Sequence, residues 1–145
     1  EGFFTFDHSD PLPTPTADRV RRAVSEEDLR VLAKAAGIKP LPTQWLLGER
    51  PKMRRFAVDE GEMPVGWVSS IDAGEDCTWV SALWVNPEHR GKGYGFSLVA
   101  KLLADDRSLG YRHSVLLASY AGARLYPHLG YQRIGTLYLA SPAKK

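Results

Sequence analysis

A single cysteine, Cys77, stands among the 145 residues. That excludes an intrachain disulfide and any multi-cysteine zinc site, and it makes a reduced, cytoplasmic setting the expectation. No apolar run approaches the ~18 residues of a membrane-spanning helix, so no membrane association is expected. The N-terminus also lacks the charged-then-apolar order of a secretory signal. The net charge is only +2, too little to advertise a polycationic face, and no nucleic-acid partner is expected. Neither an internal repeat nor a low-complexity tract is present, which removes the solenoid and fibrous classes. His89, His113 and His128 show no metal-ligand spacing, so no metal is expected. What remains is a chain 43% apolar and 25% charged, the composition of one ordinary globular domain with a single core. It starts at Glu1 rather than Met, so a longer parent protein stays open.

Two regions differ in character. Residues 1–17 combine an apolar start, Phe3-Thr5-Phe6 with Phe4 between, and then Pro11, Pro13 and Pro15 in polar surroundings. Proline fixes φ and removes a donor, so this stretch reads as an extended leader over the surface, with a short added strand at Phe3 to Phe6 as an option. Residues 18–145 are regular. Arg19 to Ala23 suits a short strand. Ser25 stands three residues before Asp28 as an N-cap, Leu29, Leu32, Ala33 and Ala36 repeat at helical spacing, and Gly37 closes the helix. Leu41 to Pro51 is ambiguous, with a short helix around Gln44 to Leu47.

Three strands follow: Arg55 to Asp59, Val65 to Ile71, and Thr78 to Val85, the last rich in Trp and Val and suited to burial on both faces. A second helix carries Phe96, Leu98, Val99, Leu102 and Leu103 on its apolar positions and ends at Gly110. Val115 to Ala118 is a short buried strand, Ala121 to Leu129 a short third helix stopped by Gly130, and Arg133 to Leu139 a last strand. This order implies an α/β domain with a mixed sheet.

The most informative segment is Val85-Asn86-Pro87-Glu88-His89-Arg90-Gly91-Lys92-Gly93-Tyr94-Gly95. A buried strand stops at Pro87, and a helix starts just after three glycines. Glycine lets successive amides turn toward one point, and a new helix adds its unpaired N–H groups and positive dipole end. Such a turn cradles anions, and Arg90 and Lys92 add positive charge beside it. A Walker A loop needs Gly-x-x-x-x-Gly-Lys-Ser/Thr and a dinucleotide fingerprint needs Gly-x-Gly-x-x-Gly; neither matches glycines at 91, 93 and 95.

Arg90-Gly91-Lys92-Gly93-Tyr94-Gly95 resembles the Arg/Gln-x-x-Gly-x-Gly/Ala signature of the GNAT superfamily of N-acetyltransferases, preceded by that family's Val-x-Pro strand end. Leu125-Tyr126-Pro127-His128-Leu129-Gly130-Tyr131 is similar to its late motif, Leu-Tyr-x-x-Leu-Gly-Phe/Tyr, in the right order and separation. The resemblance implies a mixed, largely antiparallel sheet whose central parallel strands splay at the site, and acetyl-coenzyme A as cosubstrate. It implies that Arg90, Gly91, Lys92, Gly93, Tyr94 and Gly95 take the pyrophosphate and that the main chain of Leu83, Trp84 and Val85 pairs with pantetheine. Tyr126 would protonate the departing thiolate, since a phenol pKa near 10 keeps the proton until the thiolate forms. Ser119 stands where many members carry a cofactor-contacting asparagine; its hydroxyl still bonds but reaches less far.

The acceptor is a small-molecule or peptide amine of unknown identity. The general base is unassigned among Glu75, Asp76, Glu88, His89, His113 and His128. Of the four tryptophans, Trp67, Trp79 and Trp84 sit on expected strands and read as core, which leaves Trp45 to line an acceptor pocket. Cys77 reads as a small strand residue. A non-catalytic acetyl-coenzyme A sensor, or a structural module of a larger protein, is the competing reading, and homodimerisation stays open.

Overall fold

Helix α1 (Glu26–Ala36) starts where the Ser25 hydroxyl oxygen accepts the Asp28 amide at 3.1 Å and stops where Gly37 turns left-handed at φ 67°. Both boundaries follow from cap chemistry: a hydroxyl satisfies an orphan N–H at one end, and glycine adopts positive φ without strain at the other. The computed structural model describes residues 1–15, 19–119, 122–138, 140 and 142–143. Ala17, Asp18, Ala121 and Leu139, which bound several expected segments, lie outside the described residues.

Seven strands form one sheet: β1 (Gly2–Asp7), β2 (Val20–Arg22), β3 (Met53–Glu60), β4 (Met63–Asp72), β5 (Cys77–Val85), β6 (His113–Ala118) and β7 (Gln132–Thr136). Their order is β2-β3-β4-β5-β6-β1-β7. Every pairing is antiparallel except β5 with β6. That parallel pair holds register only from Cys77↔His113 to Trp79↔Val115, after which the strands diverge. The expected mixed sheet with splayed central parallel strands is therefore present. Helix α2 (Thr43–Leu46) is a single turn, and α3 (Tyr94–Ser108) crosses over from β5 to β6.

Three expectations need correction. Gly2–Asp7 is not part of a surface leader; the optional strand at Phe3 to Phe6 is present there. It is an inner strand between β6 and β7, with Phe4 and Phe6 buried in the main core. Alternating Phe at 4 and 6 supplies one apolar face, and the sheet buries it. Among the described residues of the 1–17 stretch, 11–15 run without regular structure, with Leu12 packed on the core. Second, the short third helix is two 3-10 turns, Gly122–Arg124 and Tyr126–Leu129. Pro127 lacks the amide that a continuous α-helix would need there; Gly130 still caps it at φ 96°. Third, β5 is not buried on both faces. Its last residues leave Trp84 45% exposed, because β6 has already diverged.

Period-two alternation sorts the side chains of β3 onto two faces. Phe56 and Val58 join Val68, Leu98, Leu102, Leu103 and Leu116 in the main core on the α3 side. Ala57 joins Ala23, Leu29, Leu32 and Leu46 in a smaller cluster on the α1 side. Arg54 and Arg55 part in the same way: Arg54 goes toward α3, Arg55 toward α1.

Candidate active site

The divergence of β5 from β6 opens a cavity of about 290 Å³, lined by Val80, Ser81, Ala82 and Leu83 on one side and Leu117, Ala118, Ser119 and Tyr126 on the other. Strand backbone past the last pairing, Trp79↔Val115, has lost its ladder partner on this side, so the two edges face the gap with main-chain polar groups to offer. Ala82 adds a feature the sequence did not announce. It sits at φ 56°, and β5 spends three residues (Ser81 to Trp84) where β4 spends two (Trp67 to Ser69). This is a β-bulge, which re-aims the residues after it. Without the extra residue Trp84 would point toward α3; with it, Trp84 pairs with Trp67 and faces α1.

Beyond the end of β5 the chain makes a 3-10 turn, Pro87–His89, then Gly91 at φ 81° and Gly93 at φ 80°, both left-handed, before α3 begins without a side-chain cap. Those two φ values explain why glycine is needed at 91 and 93. The uncapped first turn of α3 presents amides that have no acceptor within the helix. The expected cationic side chains are committed elsewhere. Arg90 donates from Nε to the Val85 carbonyl at 2.8 Å and stacks 4.7 Å over the Trp84 ring, and the Trp84 indole donates to Asn86 Oδ1 at 3.1 Å. Lys92 pairs with Glu60 at 2.8 Å, and the Tyr94 hydroxyl donates to the same Glu60 oxygen at 2.7 Å. These bonds from Lys92 and Tyr94, with His89 2.9 Å from the other oxygen, hold the Glu60 carboxyl down to about 2. Glu60 thus ties the turn between β3 and β4 to the glycine loop. The loop's anion-holding capacity rests on its amides more than on Arg90 or Lys92. Gly95 sits where an added Cβ would come only to ordinary contact with Leu125 and Val85.

Tyr126 opens the second 3-10 turn and is only 7% exposed. Its ring packs on Phe4 and Tyr131, 5.9 and 5.6 Å between centres. Burial pushes its phenol pKa up, and among the described residues its hydroxyl has no hydrogen-bond partner. Ser119 is at the cavity rim, but its Oγ accepts the Gly122 amide at 3.2 Å and so caps the first 3-10 turn.

On the α1 face lies a larger cavity of about 450 Å³, which shares Ala82 and Leu83 with the first. Leu32, Ala36 and Ile38 form its roof, and Trp67 and Trp84 line it with Arg55 and Ser69. Trp45, expected at an acceptor pocket, lies on α2, 42% exposed, and lines neither cavity; Trp67 and Trp84, read as core, do line one. The bulge explains Trp84, and no sequence periodicity reveals a bulge at an alanine. Arg55 was also missed. Its signal was the Arg54-Arg55 pair itself, since adjacent strand residues point to opposite faces and both faces here are covered. None of the six candidate bases lines either cavity. Glu75 lies at a separate surface depression with Arg50 and Asp72, His113 pairs with Cys77 at the far end of β6, and His89 faces Glu60. Among the described residues no group of three His, Cys, Asp or Glu could hold a metal ion, and no helix is long and apolar enough to cross a membrane.

A splayed parallel pair, a bulge at the fork and a glycine turn onto α3 converge on one place. Residues 20–131 match the Acetyltransferase (GNAT) family. The chain belongs to this family.

Solved structures agree on the fold. A putative GNAT acetyltransferase from Novosphingobium aromaticivorans superposes with a TM-score of 0.67 at 19% identity, over 91% of this chain and 59% of that one. A GCN5-related N-acetyltransferase from Sphaerobacter thermophilus gives 0.70 at 18% identity, over 92% of this chain and 48% of the other. An aminoglycoside acetyltransferase from an uncultured soil metagenomic sample gives 0.65 at 20%, over 86% and 97%. The chain thus spans about half to three fifths of the length of the first two. No curated protein sequence matches it. For this GNAT chain these neighbours, at 18–20% identity, speak to the fold alone.

Proposed function

We propose that this GNAT protein transfers an acetyl group from acetyl-coenzyme A to an amine, with Tyr126 protonating the departing thiolate. The observation that carries the reading is a buried phenol with an uncommitted hydroxyl on one wall of the fork between β5 and β6. Bound there, acetyl-coenzyme A supplies an activated acetyl group. The loop from Arg90 to Gly95 holds the pyrophosphate through the amides after Gly91 and Gly93, and the free edge at Leu83, Trp84 and Val85 pairs with the pantetheine arm. The fit is supported by the left-handed glycines and by the loss of strand pairing after Trp79. Ser119 can contribute at the rim through its O–H and its second lone pair, since the Gly122 amide uses only one acceptor site.

The amine, as free base, forms its bond to the acetyl carbon as the carbon–sulfur bond breaks. Tyr126 donates its phenolic proton to sulfur and recovers one when the new amide's nitrogen releases its own through water. Burial raises the Tyr126 pKa, which keeps the proton in place at neutral pH until a base as strong as a thiolate appears. The fold's contribution is position and electrostatics. The lone, part-buried thiol of Cys77 fits a reducing, cytoplasmic setting.

One observation favours the second reading, a module that binds acetyl-coenzyme A without turning it over: no candidate base lines the cavities. Tyr126→Phe separates the two. For an enzyme kcat falls about 100-fold while calorimetric affinity for acetyl-coenzyme A holds. If wild-type protein binds acetyl-coenzyme A and releases no thiol with any amine, the transfer reading is wrong.

A further inference from the structure

Arg55 stands apart from the other part-buried arginines. Its Nε is buried, and among the described residues nothing bonds to it. Arg22 and Arg107 also have a buried, unbonded Nε, but Arg22 has Asp105 at 3.9 Å and Arg107 donates to the Asp10 carbonyl. Among the described residues Arg55 has neither a carboxylate nor a carbonyl. Burial alone acts on its guanidinium and lowers its pKa, with no neighbouring charge to offset it; arginine keeps its proton all the same. Glu26 shares a small cavity of about 150 Å³ on the other side of Arg55, together with Arg30, and forms no ion pair with it. A charge left half out of water without a counter-ion is expensive, and proteins keep one where a ligand brings the partner.

The position of Arg55 says which ligand. It pairs across the sheet with Ser69, and Ser69 pairs with Ser81, so the three form one row that ends beside the bulge at Ala82. Adjacent strands are about 4.8 Å apart, which puts Arg55 about two strand spacings from the fork. Between them lies the 450 Å³ cavity, within the size range of small-molecule sites, with walls of Leu32, Ile38, Trp67 and Trp84. One guanidinium and one serine hydroxyl match the two oxygens of a carboxylate. A phosphate dianion would want more donors, and a polyamine would meet the positive charge.

We propose that this cavity takes an amine acceptor that also carries a carboxylate and an apolar body, and that Arg55 binds the carboxylate and turns the amine toward the fork. The claim rests on the transfer reading above and names its acceptor class. It excludes polycationic amines and internal lysine side chains as preferred substrates.

The test measures thiol release from acetyl-coenzyme A with leucine and phenylalanine against leucinamide and phenylalaninamide. The amides carry the less basic, more readily neutral amine, so a preference for the free acids runs against intrinsic reactivity. The expected result is a kcat/KM for the acids about 100-fold above the amides, as for sites built to bond a polar group. Arg55→Gln brings the acids down to the level of the amides, Arg55→Lys restores part of the difference, and calorimetric affinity for acetyl-coenzyme A stays unchanged in both. Equal rates for acids and amides in the wild type, or a preference that survives Arg55→Gln, overturns the proposal. If acetyl-coenzyme A binds but no amine is turned over, transfer fails and the cavity is judged by binding alone. Leucine should then quench tryptophan fluorescence of the coenzyme A-loaded wild type saturably, and that of Arg55→Gln not at all; no saturable quenching in the wild type sinks the cavity claim too.

Discussion

The two faces of the sheet treat the same residue type in opposite ways. Toward α3, Arg54 is 2% exposed and fully engaged: its guanidinium pairs with Asp105 and Asp106 and donates to Ser70 at 3.0 Å. Asp106 in turn accepts from Ser70 at 2.8 Å and Thr78 at 2.6 Å. Burial works against the charge on Arg54, and the two carboxylates outweigh it, so its pKa rises. Toward α1, one residue along, Arg55 has no counter-ion and borders an open cavity. The α3 face closes on itself through the paired network around Arg54 and Asp106 and through dense apolar packing. The α1 face is left unfinished, and an unfinished face is where a ligand can supply the missing contacts.

The sharpest way to break this contrast is to replace each arginine by glutamine and follow urea unfolding. Arg54→Gln strands buried Asp106 without its cation and should cost about 3–5 kcal/mol. Arg55→Gln removes a part-buried charge with no partner among the described residues, so stability should hold or rise. Equal losses would mean that Arg55 has a structural partner after all.

Matched leucine truncations come next. Leu102 is wholly buried under α3, and Leu32 on α1 already borders the cavity. Leu102→Ala should cost about 4 kcal/mol and Leu32→Ala about 2, because the second site loses fewer contacts to begin with.

One group on the α3 side does not conform, and it sets a pH test. His8 follows β1, packs its ring edge-on against Phe6, and buries both nitrogens without a partner. Burial, then the nearby Arg107 and His113 charges, depress its pKa to about 4. The unfolded chain takes up this proton near 6.5 and the folded chain only near 4. Stability from this group is therefore full above about pH 6.5, falls as pH drops toward about 4, and levels off below. Denaturant titrations at several pH values should show that slope, and His8→Leu should flatten it.

The smallest effect belongs to the wall shared by both cavities. Ala82 holds φ 56°, where a side chain is strained. Ala82→Gly should raise stability by up to about 1 kcal/mol. A loss instead would show that the alanine methyl packs well enough to offset its strain.

Much of the fold was legible because it depends on local chemistry. Ser25 and Gly37 bound α1 as expected, the strands at 53–60 and 63–72 lie where turn residues isolate them, and Gly91 and Gly93 have the positive φ that a phosphate-type loop asks for. Within the candidate site, the motifs point to Tyr126, which lines the fork, and to the glycine loop, which joins the end of β5 to the start of α3. Arg55 has no such signal, and for Trp84 the motif speaks only to the main chain, not to the side chain that lines the larger cavity; Trp45 lines neither cavity. A bulge at an alanine has no composition signal. Arg54 meets carboxylates 51 and 52 residues away on α3, and its neighbour Arg55 faces the other way.

By itself the sequence determined where α1 begins and ends, where turn residues divide β3 from β4, and where glycines take positive φ before α3, since caps, period and glycine φ act over a few residues. Tertiary structure decided that Gly2–Asp7 would lie between β6 and β7, that β5 would bulge, and that Arg54 would be paired while Arg55 was left alone. Those outcomes come from strand pairing and charge contacts between residues distant in the chain, and no local pattern encodes which partner arrives.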